Sequence, residues 1–164
     1  MSKLLLPLVT ALHLIPHSFG VSPIGATALY AGAYGNLRIV WLVPLIPLFI
    51  GDIFGGFYDL TVMAFVYIGF ALSVLIGRLL LAGRRNSRRY ALAVVSAAVV
   101  FFLVSNFSIW LVGMYPPTVA GLISCYVNGL SYLGMAIIAD AAYCLLLFGA
   151  HAMIEREQPA AAAA

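Results

Sequence analysis

Two carboxylates stand in otherwise apolar sequence, and they are the residues of this chain best placed to do chemistry. Asp52 follows the apolar run 42–50 and precedes Gly55-Gly56, while Asp140 sits between Ala139 and Ala141 in a second apolar run. A carboxylate inside an apolar helix is costly and by default faces a cavity or a partner. Either could orient a ligand. The plain alternative is that Asp52 caps or kinks a helix end and Asp140 hydrogen-bonds a Tyr or Ser of a neighbouring helix. His13 and His17 lie four residues apart, on one face of a continuous helix, a spacing used by two-histidine metal sites. Pro16 intervenes and no Glu-rich helix accompanies them, so they are weak metal candidates, interfacial polar residues is the plainer reading, and no metal site is expected. Asn106, with Ser105 and Ser108, could read a ligand or tie two helices together. Trp110, Tyr115, Tyr126 and Tyr132 fit an aromatic interface belt, and such rings could also line a pocket for a flat organic molecule. There is no nucleophile elbow, phosphate loop, zinc-protease motif or dinucleotide fingerprint. The expectation is a protein that is not an enzyme, with any cofactor unknown.

The elements that must position these residues are helices in lipid. Of 164 residues 65% are hydrophobic and only 8% charged, with mean hydropathy +1.12. A soluble domain of this size carries roughly 25% charged residues. A polar exterior cannot be built from this chain, so the lipid bilayer must be its solvent. The fold class expected is all-α: a polytopic membrane protein of about six transmembrane helices in one bundle. One domain is expected over 1–157, with 158–164 a disordered or low-complexity tail. Residues 62–83 and 90–113 meet the length of about 20 apolar residues that a span needs. Residues 38–58 and 133–153 also qualify, although Pro44, Pro47 and Asp140 interrupt them. The segments 4–16 and 21–35 are shorter. They read as two short or tilted helices joined by a tight turn at 16–20, or as a re-entrant pair that leaves five spans. Residues 116–131 are too polar for a span, and Thr118 can cap a helix that lies in the interface or folds back.

Charge supplies the orientation. The run Arg84-Arg85-Asn86-Ser87-Arg88-Arg89 holds half of the eight Lys and Arg, which marks a cytoplasmic loop by the positive-inside rule. Counting outward, both termini, Lys3, Arg38 and Arg156 fall on the same side. The expected location is a bacterial inner membrane, multi-pass. The net charge of +3 therefore reports topology and predicts no nucleic-acid partner. The outer half then collects His13, His17, Ser18, Asp52, Tyr58, Asp59, Asn106, Trp110, Tyr115, Tyr126, Asn128 and Asp140. A small-molecule site there would draw on Asp52, Asp59, Asn106, Trp110, Tyr126, Asn128 and Asp140. Cys125 and Cys144 fit no metal spacing and read as small buried residues. Residues 25–35 carry small-xxx-small pairs, Ala28/Gly32 and Ala31/Gly35, which let another helix approach closely. That face could pack internally or dock a membrane protein partner.

Several of these blocks look familiar together. Ser22-Pro23-Ile24-Gly25-Ala26 leading to Ala31-Gly32-Ala33-Tyr34, Asp52 with Gly55 and Phe57-Tyr58-Asp59, and Ser105 to Leu111 form one part of the set. Tyr115-Pro116, Thr118, Gly121-Leu122, Cys125-Tyr126, and Asp140 with Tyr143 complete it. Over most of residues 8–148 the chain resembles an uncharacterised bacterial family of transport proteins named as a domain of unknown function. Its plan is similar to the substrate-binding S components of energy-coupling-factor vitamin transporters, six-helix proteins with an outward-facing pocket. That resemblance implies capture of a micronutrient, vitamin- or cofactor-like, on residues such as Asn106, Trp110 and Asp140. S components commonly dock their membrane partner through small residues of the first helix, whereas here the small-residue face lies on the second segment. The expected function is therefore substrate binding and transport; the alternative is a non-catalytic accessory subunit of a larger membrane assembly.

Overall fold

The computed structural model describes residues 13, 21–36, 38–83 and 86–162, with side chains described as far as 154. Five helices follow in order among residues 21–162 as described: α1 Ile24–Tyr34, α2 Leu42–Gly55, α3 Leu60–Leu81, α4 Ser87–Leu111 and α5 Val119–Ala162. No strand occurs among the described residues. Among the described residues three helices are long and apolar enough to cross a membrane: α3, α4 and the stretch Val119–Ile154 of α5. Their outward sides are covered with exposed Leu, Ile, Phe and Val, the side chains that lipid solvates.

Five of the six expected segments lie among the described residues: three belong to spanning helices and two form shorter ones. The segments 62–83 and 90–113 appear as α3 and α4 with ends shifted by a few residues. The segment 38–58 gives only the 14 residues of α2, about 21 Å of helix, against a hydrocarbon core of about 30 Å. Gly55-Gly56 ends it, with Gly56 at φ 91°, a conformation that side-chain-bearing residues avoid. Residues 116–131 were expected to lie apart from the last span, in the interface or folded back. Instead 119–131 and 133–153 form one helix, α5, which continues through Ala162. The polar residues of its first turns are satisfied by α4, so nothing forces a break. Thr118 does cap this helix, its Oγ1 accepting from Gly121 N at 3.1 Å. The segment 4–16 lies outside the described residues apart from His13, which is helical. So does His17.

Helix α1 is the centre of the bundle. It has 11 residues, about 16 Å, and ten of them are buried. A helix that is apolar all round belongs in a core. Its residues Leu29 and Gly32 lie against the α3 backbone: a side-chain carbon on Gly77 would strike the Leu29 carbonyl, and one on Gly32 would strike that of Val74. The close approach predicted for residues 25–35 is thus made inside the chain, with residues 24–33 buried. Along α3, Gly69, Ser73 and Gly77 repeat every fourth residue and are all buried. Gly69 receives Phe101 of α4, and Gly77 receives α1.

Helix α1 runs toward the same end as α3 and α5, while α2 and α4 run the opposite way. Tyr30 and Tyr34 meet Phe148 and His151 there, with the Tyr30 hydroxyl 2.7 Å from His151 Nδ1. Arg38 in the turn after α1, Arg78 in the last turn of α3, and Arg88 and Arg89 in the first turn of α4 share that end. The described basic residues are therefore gathered at one end of the bundle, where the charge pattern places them. Cys125 and Cys144 are free and buried, as their spacing suggests.

Side-chain caps also start α3 and α4. Asp59 Oδ1 accepts from Thr61 N at 2.8 Å and Val62 N at 3.1 Å, and Asn86 Oδ1 accepts from Arg89 N at 2.9 Å. Loss of such a cap costs about 1 kcal/mol. Asp59→Ala and Asn86→Ala are each expected to lower stability by about that amount in detergent denaturation, additively in the double variant because the two ends are far apart. Asp59→Asn is expected to stay near the native value.

Candidate functional site

The expected site residues fall into three separate neighbourhoods. The first is polar and lies between α2, α3 and the stretch before α1. Asp52 is buried on α2 and accepts a 2.7 Å hydrogen bond from the Tyr67 hydroxyl of α3. The His13 ring fills the space beside Gly51, and its Nδ1 is 3.2 Å from Ser22 Oγ. Tyr58, in the turn between α2 and α3, faces the same carboxylate. Burial, and then the charge of Asp52, push its hydroxyl up to about 12, so it keeps its proton at any working pH. Asp59, in the same turn, is committed to capping α3. No group of three or more His, Cys, Asp or Glu able to hold a metal occurs among the described residues.

The second neighbourhood joins α4 to α5 at the end away from the arginines. Asn106 Nδ2 donates to Phe102 O at 2.9 Å, and its Oδ1 faces Gly129. The Cys125 thiol donates to Asn106 O at 3.3 Å. Trp110 Nε1 donates to Pro116 O at 3.0 Å, closing the turn between the helices. The Tyr126 hydroxyl donates to Leu103 O at 2.8 Å, and Asn128 Nδ2 donates to the Tyr115 hydroxyl at 3.2 Å. Gly129, with no side chain of its own, leaves room for the Asn106 amide and the Phe102 ring of α4. These polar groups hold two helices together, the reading open for Asn106 from sequence.

The third is Asp140. It is 7% exposed, and its carboxyl oxygens occupy the place where a side chain on Gly25 would stand. It faces the first turn of α1, beside the Ala26 amide. The reason lies in α1. A helix leaves its first four amides without internal partners. Pro23 precedes α1 and offers no side-chain cap, Ser22 Oγ takes the Ile24 amide at 3.3 Å, and Pro23 O takes that of Thr27. Asp140 brings a carboxyl group to that turn from another helix.

Between α3 and α5, with α4 as its floor, runs a half-open groove of about 430 Å³. Val62 and Val66 form one wall, Tyr132, Leu133 and Ala136 the other, and Ala98 to Ile109 the floor. It lies in the half of the bundle away from the arginines. Its lining is mainly apolar, with Ser105, Asn106 and Tyr132 as the polar groups. Of the residues expected to bind substrate, only Asn106 lines it. Asp52 and Tyr67 sit on the far side of α2 and α3; Trp110, Tyr126 and Asn128 are taken up by the α4–α5 joint; Asp140 lies one turn beyond Ala136. Ser105 and Tyr132, read from sequence as a companion of Asn106 and as one of the belt or pocket rings, do line it, and the α4–α5 register brings them together.

No curated protein and no solved structure matches the chain. A family model described as a family of unknown function, DUF6580, matches residues 1–161, and the chain belongs to that family.

Proposed function

We propose that this is a membrane transport protein that captures a small, mainly apolar organic molecule, vitamin- or cofactor-like, from the outer side of a bacterial inner membrane. The groove between α3, α4 and α5 carries this reading. Its volume of about 430 Å³ lies within the 300–1,000 Å³ usual for small-ligand sites. Its lining is also of the usual kind, an apolar wall with a few polar groups. The Asn106 amide would read the ligand's polar edge, Ser105 Oγ, which donates its own proton to Phe101 O, would accept beside it, and the Tyr132 ring would cover its apolar face. The Asp52–Tyr67 pair and Asp140 would act behind this shell, holding α2 and α1 in place. The likeness to S components from the sequence agrees with such a groove in a chain of this size.

Ligand-induced thermal stabilisation in mild detergent tests the reading. Saturation at 100 times the dissociation constant adds about 2.7 kcal/mol, a shift of several degrees. A panel of vitamins and cofactor precursors is expected to contain at least one such molecule. Tyr132→Ala is expected to cut its affinity at least tenfold with little change in the melting temperature of the free protein. No shift across the panel, or a shift untouched by Tyr132→Ala, would contradict the proposal.

A further inference from the structure

A second groove opens at the opposite end of the bundle, on the outer surface between α4 and α5. It holds about 610 Å³ and is lined by Ser87, Tyr90, Val94, Ile137, Cys144 and Phe148 among others, almost wholly apolar. Its floor reaches from Ile137 to Gly149 along α5, twelve steps of 1.5 Å or about 18 Å. That is close to one leaflet of a hydrocarbon core about 30 Å thick. A partner helix would need a stripe through the whole membrane; this groove runs through half of it and stops.

Its mouth carries charge. Arg88 is exposed, and by helical periodicity it stands on the same stripe as Ala91 and Val95, both in the groove wall. Side chains on a helix tilt toward its N-terminus, so the guanidinium reaches past the mouth toward the headgroup layer. Arg89 is turned elsewhere, its Nη1 donating to Leu80 O at 3.1 Å. Ser87 opens α4, and the Asn86 cap engages only the Arg89 amide, so the first amides of α4 point at the same place.

We infer that this groove is a binding site for an anionic phospholipid. One acyl chain lies along Val94, Ile137, Cys144 and Phe148. The phosphate and its headgroup sit at Ser87 and Arg88, over the N-terminus of α4. The chemistry required is an apolar chain one leaflet long joined to a negative headgroup, and basic pockets between membrane helices select such lipids. This site is independent of the α3–α4–α5 groove at the other end.

Native mass spectrometry of the detergent-purified protein, titrated separately with dioleoylphosphatidylglycerol and dioleoylphosphatidylcholine, tests it. The anionic lipid is expected to bind about fivefold more tightly, the effect of one basic residue at the surface. Arg88→Ala is expected to remove that preference. Gly149 lines the groove, and a side chain placed there meets nothing within 4 Å, so Gly149→Trp fills the groove without disturbing the bundle. It is expected to weaken both lipids at least fivefold. Gly134→Trp, at an equally open position of α5 outside both grooves, is the control and is expected to bind as the native protein does. Equal binding of the two lipids, a preference that survives Arg88→Ala, or Gly149→Trp binding as tightly as Gly134→Trp would overturn the assignment.

Discussion

Gly32→Leu and Gly77→Leu are each expected to leave little folded protein in detergent extracts. At both positions the obstacle to a side chain is backbone of the facing helix: the Val74 carbonyl and Arg78 amide for Gly32, the Leu29 carbonyl and Cα for Gly77. A flexible side chain could turn aside, but a helix backbone moves only as a whole. Overpacking a core costs about 1–3 kcal/mol when side chains can adjust. With backbone on the other side, a loss beyond about 3 kcal/mol is expected, enough to unseat α1 from the bundle. Gly83→Leu is the control, since a side chain there meets nothing within 4 Å. Fluorescence-detected size exclusion of the three variants distinguishes them: a sharp monodisperse peak for Gly83→Leu and aggregated or absent protein for the other two. Native-like peaks for all three would mean that α1 does not pack on α3 by backbone contact.

Asp140 yields the second large effect. Its carboxyl faces the Ala26 amide at a helix start buried in the bundle, and an amide left with no polar group before it there costs about 1–3 kcal/mol. Asp140→Leu is expected to lose that much in denaturant titration. Asp140→Asn keeps a carbonyl oxygen in the same place and is expected to lose less than half of it. Gly25→Val should resemble Asp140→Leu, because its side chain would push the carboxyl away. The same variants separate this role from direct ligand contact. If Asp140→Asn leaves stability unchanged yet abolishes ligand-induced stabilisation, Asp140 belongs to the ligand and the capping account is wrong.

These two predictions rest on features of unequal visibility in the sequence. The apolar runs of α3 and α4 are long enough that only a spanning helix accommodates them, and their ends are fixed by Asp59 and Asn86, which side-chain chemistry makes good caps. The small residues of α1 announce a close approach, but a helix buried on all sides has no apolar face to reveal its partner. Gly69, Ser73 and Gly77 on α3 carry half of that signal at a spacing of four, and they are the complement that could have been read from sequence. The fusion of 119–131 with the last span was hidden by local polarity. Tyr126 and Asn128 look solvent-directed until their partners, Leu103 O and the Tyr115 hydroxyl, are brought up by α4 and its following turn.

The site was legible only in its ingredients. Asp52 and Asp140 stand out because burial makes a carboxylate conspicuous. Their partners, Tyr67 and the first turn of α1, are set by helix–helix register and leave no spacing rule. Trp110, Tyr126 and Asn128 lie together at the end away from the arginines and hydrogen-bond within the chain. Ser105 and Tyr132 sit on different helices, and the groove exists only because α1 fills one half of the space between α3 and α5.

The central claim is that the groove of α3, α4 and α5 holds a small organic molecule, and native mass spectrometry of the protein released in mild detergent from its own source addresses it most directly. A bound molecule of a few hundred daltons, distinct from phospholipid and lost together from Asn106→Leu and Tyr132→Ala preparations that remain folded, is the result expected. A heteromeric mass carrying no small molecule, unchanged by either substitution, would contradict the claim and identify the protein as an accessory subunit of a membrane assembly.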